Sequence, residues 1–358
     1  FYNHYFLFME VSTPGRICLF GEHQDYLGLP VIAMGISLRS LVKGAYRKDT
    51  MVVINKPDIK QVEKFDLNDF QYDTSRDYFK SGVNVCKKFG LRFSKGFECE
   101  IRSNIPIKAG TSSSSSILVG WIYFLSKMAD NAKHISRKKI AELAYDAEVI
   151  EFNSPGGMMD QYSTALGGLI NLESEPEIAI SPISSNLGSF VLGDSMEQKD
   201  TIGILSRCRD SRISIMSKIN KTNPKINFHN IVNNDIDKYN LNKKEKRLLE
   251  GTISNRELVN KAIKELTKPD IDKESFGSLL NEQHNILNNI FNVSTSKIEL
   301  MLKSALDAGA YGGKINGSGG GGCMFVYCPD NIDKVKKAIN NAGGKAYAVH
   351  MDEGTKII

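Results

Sequence analysis

Short hydrophobic runs of strand type alternate along the chain with longer runs of helical type. Residues 11–20 (VSTPGRICLF) read as a strand that runs into a turn at Gly21, and residues 31–56 continue with apolar, β-branched stretches (VIAMGISL, then MVVIN). Residues 97–103 alternate as FECEIRS, the period of a half-buried strand. After a serine-rich stretch, SILVGWIYFLSKMA is hydrophobic nearly all round, which predicts a helix buried between layers. In residues 137–152 the apolar positions Ile140, Leu143, Ala144, Ala147 and Ile150 recur at helical spacing. Residues 217–248 are rich in Lys and Asn and predict a polar surface segment near a domain boundary. Helices are predicted at about 273–291 and 295–309, then a Gly-rich turn, a strand (CMFVYC), a helix (DNIDKVKKAINNAG) and a strand (KAYAVHM). This succession argues for a layered α/β or α+β fold.

A chain of 358 residues exceeds one ordinary core, so two domains are expected, at 9–190 and 191–358. The net charge of +5 is modest and the lysines are scattered, which does not imply nucleic acid. Six cysteines without a C-x-x-C pair read as buried thiols of a cytoplasmic protein rather than as disulfides or a zinc site. No apolar run approaches the roughly 20 residues that span a bilayer, so no membrane partner is expected. The opening FYNHYFLF reads as an extension upstream of Met9.

Four stretches carry chemistry. Residues 105–116 (IPIKAGTSSSSS) place Pro106, Ala109, Gly110 and Thr111 in a loop ahead of a buried helix, with Ser112, Ser113, Ser114 and Ser115 in its first turn. A helix start has unpaired N–H groups and the positive end of the dipole, which suits phosphate. The absence of Gly-Lys-Ser/Thr excludes a Walker A loop. Residues 316–322 (NGSGGGG) put Gly317, Gly319 and Gly320 where the backbone can approach a ligand closely. A strand follows them, which argues against a dinucleotide fingerprint. Residues 14–26 (PGRICLFGEHQDY) concentrate Arg16, Glu22, His23 and Asp25 at the end of an apolar strand, a polar cluster that favours a binding site. Finally, Gly157 and Asp160 follow a Pro-Gly-Gly turn, and Glu148 lies on the preceding helix. Two carboxylates near a phosphate loop can divide the work of metal ligand and base.

In this order the stretches resemble the GHMP kinases, over a span from about residue 10 to the end of the chain. The first motif is most similar to the galactokinase branch, P-G-R-V-N-L-I-G-E-H-x-D-Y, and residues 157–161 (GMMDQ) resemble its C-G-I-M-D-Q. The resemblance implies an α+β fold with a ribosomal S5 domain 2-like N-terminal domain and a ferredoxin-like C-terminal domain. It implies ATP and Mg²⁺ as cofactors and a small-molecule sugar as partner, phosphorylated at a hydroxyl that is plausibly the anomeric one. Asp160 would be the catalytic base and Arg16 would support phosphoryl transfer. Glu22, His23, Asp25 and Gly157 would form the sugar site, and Ser114 and Glu148 would ligate Mg²⁺. The chain departs from the galactokinase pattern at Cys18, Lys108 and Thr111, and residues 201–212 (TIGILSRCRDSR) lack the expected arginine-rich run and Tyr. Two alternatives are a kinase for another small alcohol such as mevalonate and a non-catalytic sugar sensor. Paired Glu22 and Asp25 favour a neutral polyol over the first. The intact serine-rich loop, Arg16 and Asp160 favour an enzyme over the second.

Overall fold

The computed structural model describes residues 8–74, 76–107, 109–198 and 200–358. Lys108 and residues 1–7 of the expected extension lie outside the described residues, while Phe8 already belongs to the first strand.

The N-terminal sheet is built on a long hairpin, β1 (Phe8–Phe20) against β2 (Val31–Tyr46), in antiparallel register from Phe8↔Ala45 to Phe20↔Ile32. β3 (Met51–Lys56), β4 (Gln61–Asp66) and β5 (Phe97–Ser103) extend it in the order β1-β2-β5-β3-β4. Helix α2 (Ser113–Met128) packs on β1 and β2, and helix α1 (Tyr78–Lys88) packs on α2. The nearly uniform hydrophobicity of α2 is explained by its position. Trp121 and Phe124 are fully buried and stack on each other, and Phe79 and Phe97 meet Trp121 edge to face.

Helix α3 (Arg137–Tyr145) stops earlier than the apolar spacing predicts, and residues Asp146–Ile150 form a π-helical turn. The wider turn shifts the register, so Ile150, expected on the buried face, is 58% exposed and Glu148 turns inward. α4 (Met159–Leu166) follows, then β6 (Leu169–Glu173), which pairs with β2, and β7 (Ala179–Pro182), which pairs with β6.

The second sheet holds β8 (Ser189–Asp194), β9 (Gly312–Ile315), β10 (Cys323–Tyr327) and β11 (Lys345–His350) in the order β11-β8-β10-β9, antiparallel throughout. Numbered within that sheet the order is 4-1-3-2, the ferredoxin-like split βαβ arrangement. Helices α5 (Thr201–Asn220), α6 (Lys243–Leu266), α7 (Lys273–Asn289), α8 (Ser296–Asp307) and α9 (Ile332–Asn341) accompany it: α7, α8 and α9 pack on the sheet, α6 packs on α7 and α5 on α6. The expected division at 190/191 falls inside β8, and the last strand, β12 (Lys356–Ile357), returns to pair with β1. Residues 217–248 are more structured than their polarity predicts. Ile219, Ile231, Ile236 and Leu241 pack with Ile215, Leu249 and Ile253 into a satellite core between α5 and α6.

One hydrophobic cluster joins the two sheets: Ile17, Leu19, Phe20, Ile32 and Met34 pack with Phe190, Phe276, Phe325 and Tyr327. Phe276 meets both Phe20 and Tyr327 edge to face. The polar end of β1 is thereby pressed against the second domain. All six cysteines are buried and none of them forms a disulfide. Among the described residues no helix is long and apolar enough to cross a membrane.

Candidate active site

Arg16 leaves β1 beside the serine-rich loop, its backbone N–H donating to the Thr111 carbonyl at 3.2 Å. Its guanidinium is 3% exposed and reaches across to the start of α4. Nε and Nη2 donate to Asp160 Oδ1 at 2.9 and 2.7 Å, and Nη1 donates to the Gly110 carbonyl. Burial opposes the Arg16 charge, but the Asp160 carboxylate, followed by that of Glu22, more than offsets it and raises its pKa. Asp160 Oδ1 takes both charge-assisted bonds, and the side chain keeps about a third of its surface open (32%).

Asp25 faces the same end of α4, its Oδ2 3.4 Å from the Met159 N–H. Gly157 makes this approach possible, since a Cβ there would lie 2.1 Å from Asp25 Oδ2. Burial first, and the neighbouring Asp160 carboxylate second, push Asp25 up to about 6.

The serine-rich loop divides its work differently from the expected uniform helical turn. Gly110 and Ser112 both take positive φ (85° and 59°), and α2 begins at Ser113. Ser112 is buried and its Oγ has no partner, so it does not cap the helix. Thr111 is buried and donates to the Pro106 carbonyl. Ser115 is buried, whereas Ser113 is half-buried and Ser114 exposed. Ser116 anchors the first turn to β1 by donating to the Thr13 carbonyl at 3.0 Å. The N–H groups of Ser113, Ser114 and Ser115 in that turn have no acceptor within the helix.

Glu148, carried inward by the π turn, is 9% exposed. Its Oε1 accepts from Ser114 Oγ at 3.1 Å and its Oε2 from Gln161 Nε2 at 2.6 Å. Burial raises its pKa. A carboxylate and a hydroxyl at the mouth of the serine-rich loop are hard oxygen donors. This pair fits Mg²⁺, which takes few protein ligands and completes its shell with phosphate and water.

The Gly-rich loop lies directly on the serine-rich loop. A Cβ on Gly317 would meet the Gly110 carbonyl at 2.7 Å, and one on Gly322 would meet the Ala109 carbonyl at 2.6 Å. Gly317, Gly319 and Gly320 all take positive φ, so close approach and backbone hand both demand glycine. Asn316 clamps the two loops to β1: its Oδ1 accepts from Cys18 N–H at 2.9 Å and its Nδ2 donates to the Gly110 carbonyl at 2.7 Å.

Two residues expected to hold sugar have their contacts elsewhere. Glu22 is 2% exposed, and its Oε2 accepts from Lys314 Nζ at 3.0 Å and Gly317 N–H at 2.9 Å. His23, at φ 64°, sits between Ser318 and Tyr26. The Ser318 carbonyl can only accept, so Nε2 carries the proton (3.0 Å) and Nδ1 accepts from Tyr26 Oη–H (2.9 Å). Burial, and after it Arg212, push His23 down to about 3 and keep it neutral. Both side chains are spent on the Gly-rich loop because the inter-sheet cluster presses this end of β1 into the second domain. Of the four sugar-site candidates, Asp25 and Gly157 remain beside Asp160. Lys314, Asn316, Gln161 and Arg212 were missed as site residues. Asn316 opens the glycine-rich stretch, Lys314 stands two positions before it and Gln161 closes the GMMDQ motif, whereas Arg212 carries no motif signal.

Comparison with known proteins places the chain in a family. The sequence model of the GHMP kinases N terminal domain matches residues 77–168, that of the GHMP kinases C terminal domain matches 260–345, and the galactokinase galactose-binding signature matches 2–46. The mevalonate kinase of Pyrococcus furiosus is 26% identical, with 97% of each chain covered. The galactokinase of Lactiplantibacillus plantarum is 25% identical, with 94% of this chain and 88% of the relative covered. Lactococcus lactis galactokinase complexed with galactose has the same fold at a TM-score of 0.83 and 21% identity, covering 98% of this chain and 95% of that one. Methanococcus jannaschii mevalonate kinase does so at 0.74 and 20%, covering 98% and 100%. The chain belongs to the GHMP kinases, ATP-dependent phosphotransferases that act on alcohols.

Proposed function

We propose that this kinase transfers the γ-phosphate of ATP to a sugar hydroxyl, the anomeric one, with Asp160 as the base. The observation that carries the reading is the disposition of Asp160. Arg16 holds Oδ1 through two bonds and the side chain stays about a third open, which leaves Oδ2 to take a proton. The sugar O–H gives its proton to Asp160, its oxygen attacks the γ-phosphorus, and the bond to the β-phosphate oxygen breaks to release ADP. Arg16 neutralises charge as the phosphoryl group passes. The first-turn N–H groups of α2 and the Gly-rich loop hold the triphosphate. Glu148 and Ser114 would hold Mg²⁺, which supplies charge neutralisation of the triphosphate when bound.

Asp25 supports a sugar as acceptor. A carboxylate beside the base accepts from a polyol hydroxyl, and the charges felt most by Asp25 after its burial are acids, Asp160 and Glu22. That environment disfavours an anionic substrate. The galactose-binding signature over residues 2–46 supports the same choice. A mevalonate kinase is the second reading, favoured by the full-length match to archaeal mevalonate kinases. It requires the substrate carboxylate to find a cation at the site, and Arg16 is already engaged by Asp160. Asp160→Asn tests the base. Its kcat should fall by about 10²–10⁴-fold with the KM for ATP little changed. Turnover within a few-fold of the parent would refute the assignment.

A further inference from the structure

Away from the catalytic residues, the second domain holds a cavity of roughly 380 Å³ between α5, the start of α6 and the turn after α7. Its wall carries four cations, Arg207, Arg212, Lys244 and Arg247, and no carboxylate lines it among the described residues. None of the residues at the phosphate loop, the base or Asp25 lines it either.

Arg212 is the unusual member. It is 1% exposed, Nε donates to the Cys208 carbonyl at 2.7 Å and Nη2 donates to Tyr26 Oη, but the buried Nη1 has no partner. Its guanidinium lies 4.7 Å from the Phe291 ring centroid and 5.4 Å from that of Tyr26. Aromatic faces stabilise the cation without satisfying its N–H groups. A buried guanidinium with an open donor and no carboxylate partner is costly unless an anion joins it. Arg207 and Arg247 spend donors on the backbone carbonyls of Phe291, Asn292 and Asn289, while Lys244 stands exposed. The cavity therefore offers a buried cation at its floor and three at its rim, in a volume within the range of small-metabolite pockets, about 300–1,000 Å³.

We infer that this cavity binds a phosphate-bearing small molecule and that its occupancy is transmitted to the Gly-rich loop. A monoester or diphosphate matches the planar guanidinium fork of Arg212 and the rim charges. The recessed position of Arg212 favours a compact ligand over a polyanion lying on the surface. Two connections lead from the cavity to the Gly-rich loop. Arg212 holds Tyr26, which bonds His23, which bonds the Ser318 carbonyl. Phe291 and Asn292 adjoin Val293, whose carbonyl accepts from Gly320 N–H at 2.7 Å. Ligand in the cavity competes for Arg207 and Arg212 and so bears on the loop that cradles the triphosphate.

The test is calorimetric titration of the full chain, first saturated with a non-hydrolysable ATP analogue so that the phosphate loop is occupied. The probes are glucose 6-phosphate, inorganic pyrophosphate and inorganic phosphate. Arg212→Gln would also take a partner from Tyr26, so the exposed rim pair Lys244→Gln/Arg247→Gln carries the comparison. The expected result is saturable binding of the ester or pyrophosphate, weakened at least about tenfold in the rim variant, with inorganic phosphate the weakest probe. The bound probe should also change the KM for ATP in the parent and not in the rim variant. No saturable binding of any probe, or equal binding by parent and rim variant, would overturn the site. Binding that leaves the KM for ATP unmoved would overturn the link to the loop.

Discussion

Replacing Lys314 by Met removes the cation that is ion-paired with Glu22 inside the domain junction. Lys314 is fully buried, its Nζ donating to Glu22 Oε2 at 3.0 Å and to the Cys18 carbonyl at 2.8 Å, 5.1 Å from the Phe325 ring centroid. Methionine fills nearly the same volume, so the loss is electrostatic rather than a cavity. It leaves the buried Glu22 carboxylate without its lysine partner, still bonded by the Gly317 N–H, and strands the Cys18 carbonyl. Breaking a buried pair from one side costs about 3–5 kcal/mol, a large share of the 5–15 kcal/mol typical of a folded domain. The double variant Glu22→Gln/Lys314→Met leaves no unpaired charge and should recover most of that loss. Urea denaturation of the parent, both single variants and the double variant gives the coupling energy, provided m is unchanged. The Gly-rich loop shares Glu22, so the single variant should also raise the KM for ATP. A cost below about 1 kcal/mol for Lys314→Met, or additive single variants, would refute a structural ion pair here.

Two further outcomes follow from the same geometry. Gly157→Ala puts a Cβ where Asp25 Oδ2 stands, at 2.1 Å, and should lower kcat/KM for the acceptor by about 10–100-fold while sparing the KM for ATP. An unchanged acceptor kcat/KM would separate Asp25 from the substrate site. His23, depressed in the folded state to about 3 from its ordinary 6.5, binds its proton more readily when unfolded, so it withdraws stability as pH falls below 6.5. Between pH 7.5 and 5 that amounts to about 2 kcal/mol, which His23→Gln should abolish. Denaturation profiles that are parallel for parent and variant would contradict a neutral buried His23.

The strands and helices were legible where burial is one-sided or complete. FECEIRS alternates because one face of β5 is solvated, and SILVGWIYFL is apolar throughout because α2 is enclosed. The π turn was not legible, since apolar spacing at Ala147 and Ile150 continues an ordinary helix, and only the tertiary fit of Glu148 to Ser114 and Gln161 reveals the extra residue. The motifs converge on one region of the fold. What they did not carry was direction: Glu22 and Asp25 look alike in a polar run. The bend at Gly21 and the positive φ of His23 turn Glu22 and His23 into the domain junction, with Asp25 left toward Asp160. Similarly, Lys314 acquires meaning only when β9 is laid beside the end of β1, almost three hundred positions away.

The central claim, a sugar rather than an anionic alcohol as acceptor, is tested most directly by following ADP release with saturating ATP and Mg²⁺. The acceptors are galactose, N-acetylhexosamines, arabinose, heptoses, glucuronate and mevalonate, with ³¹P NMR of the product. A neutral sugar should be turned over, and the product should show a phosphorus resonance coupled to an anomeric proton. Turnover confined to mevalonate, with none on any sugar, would contradict it.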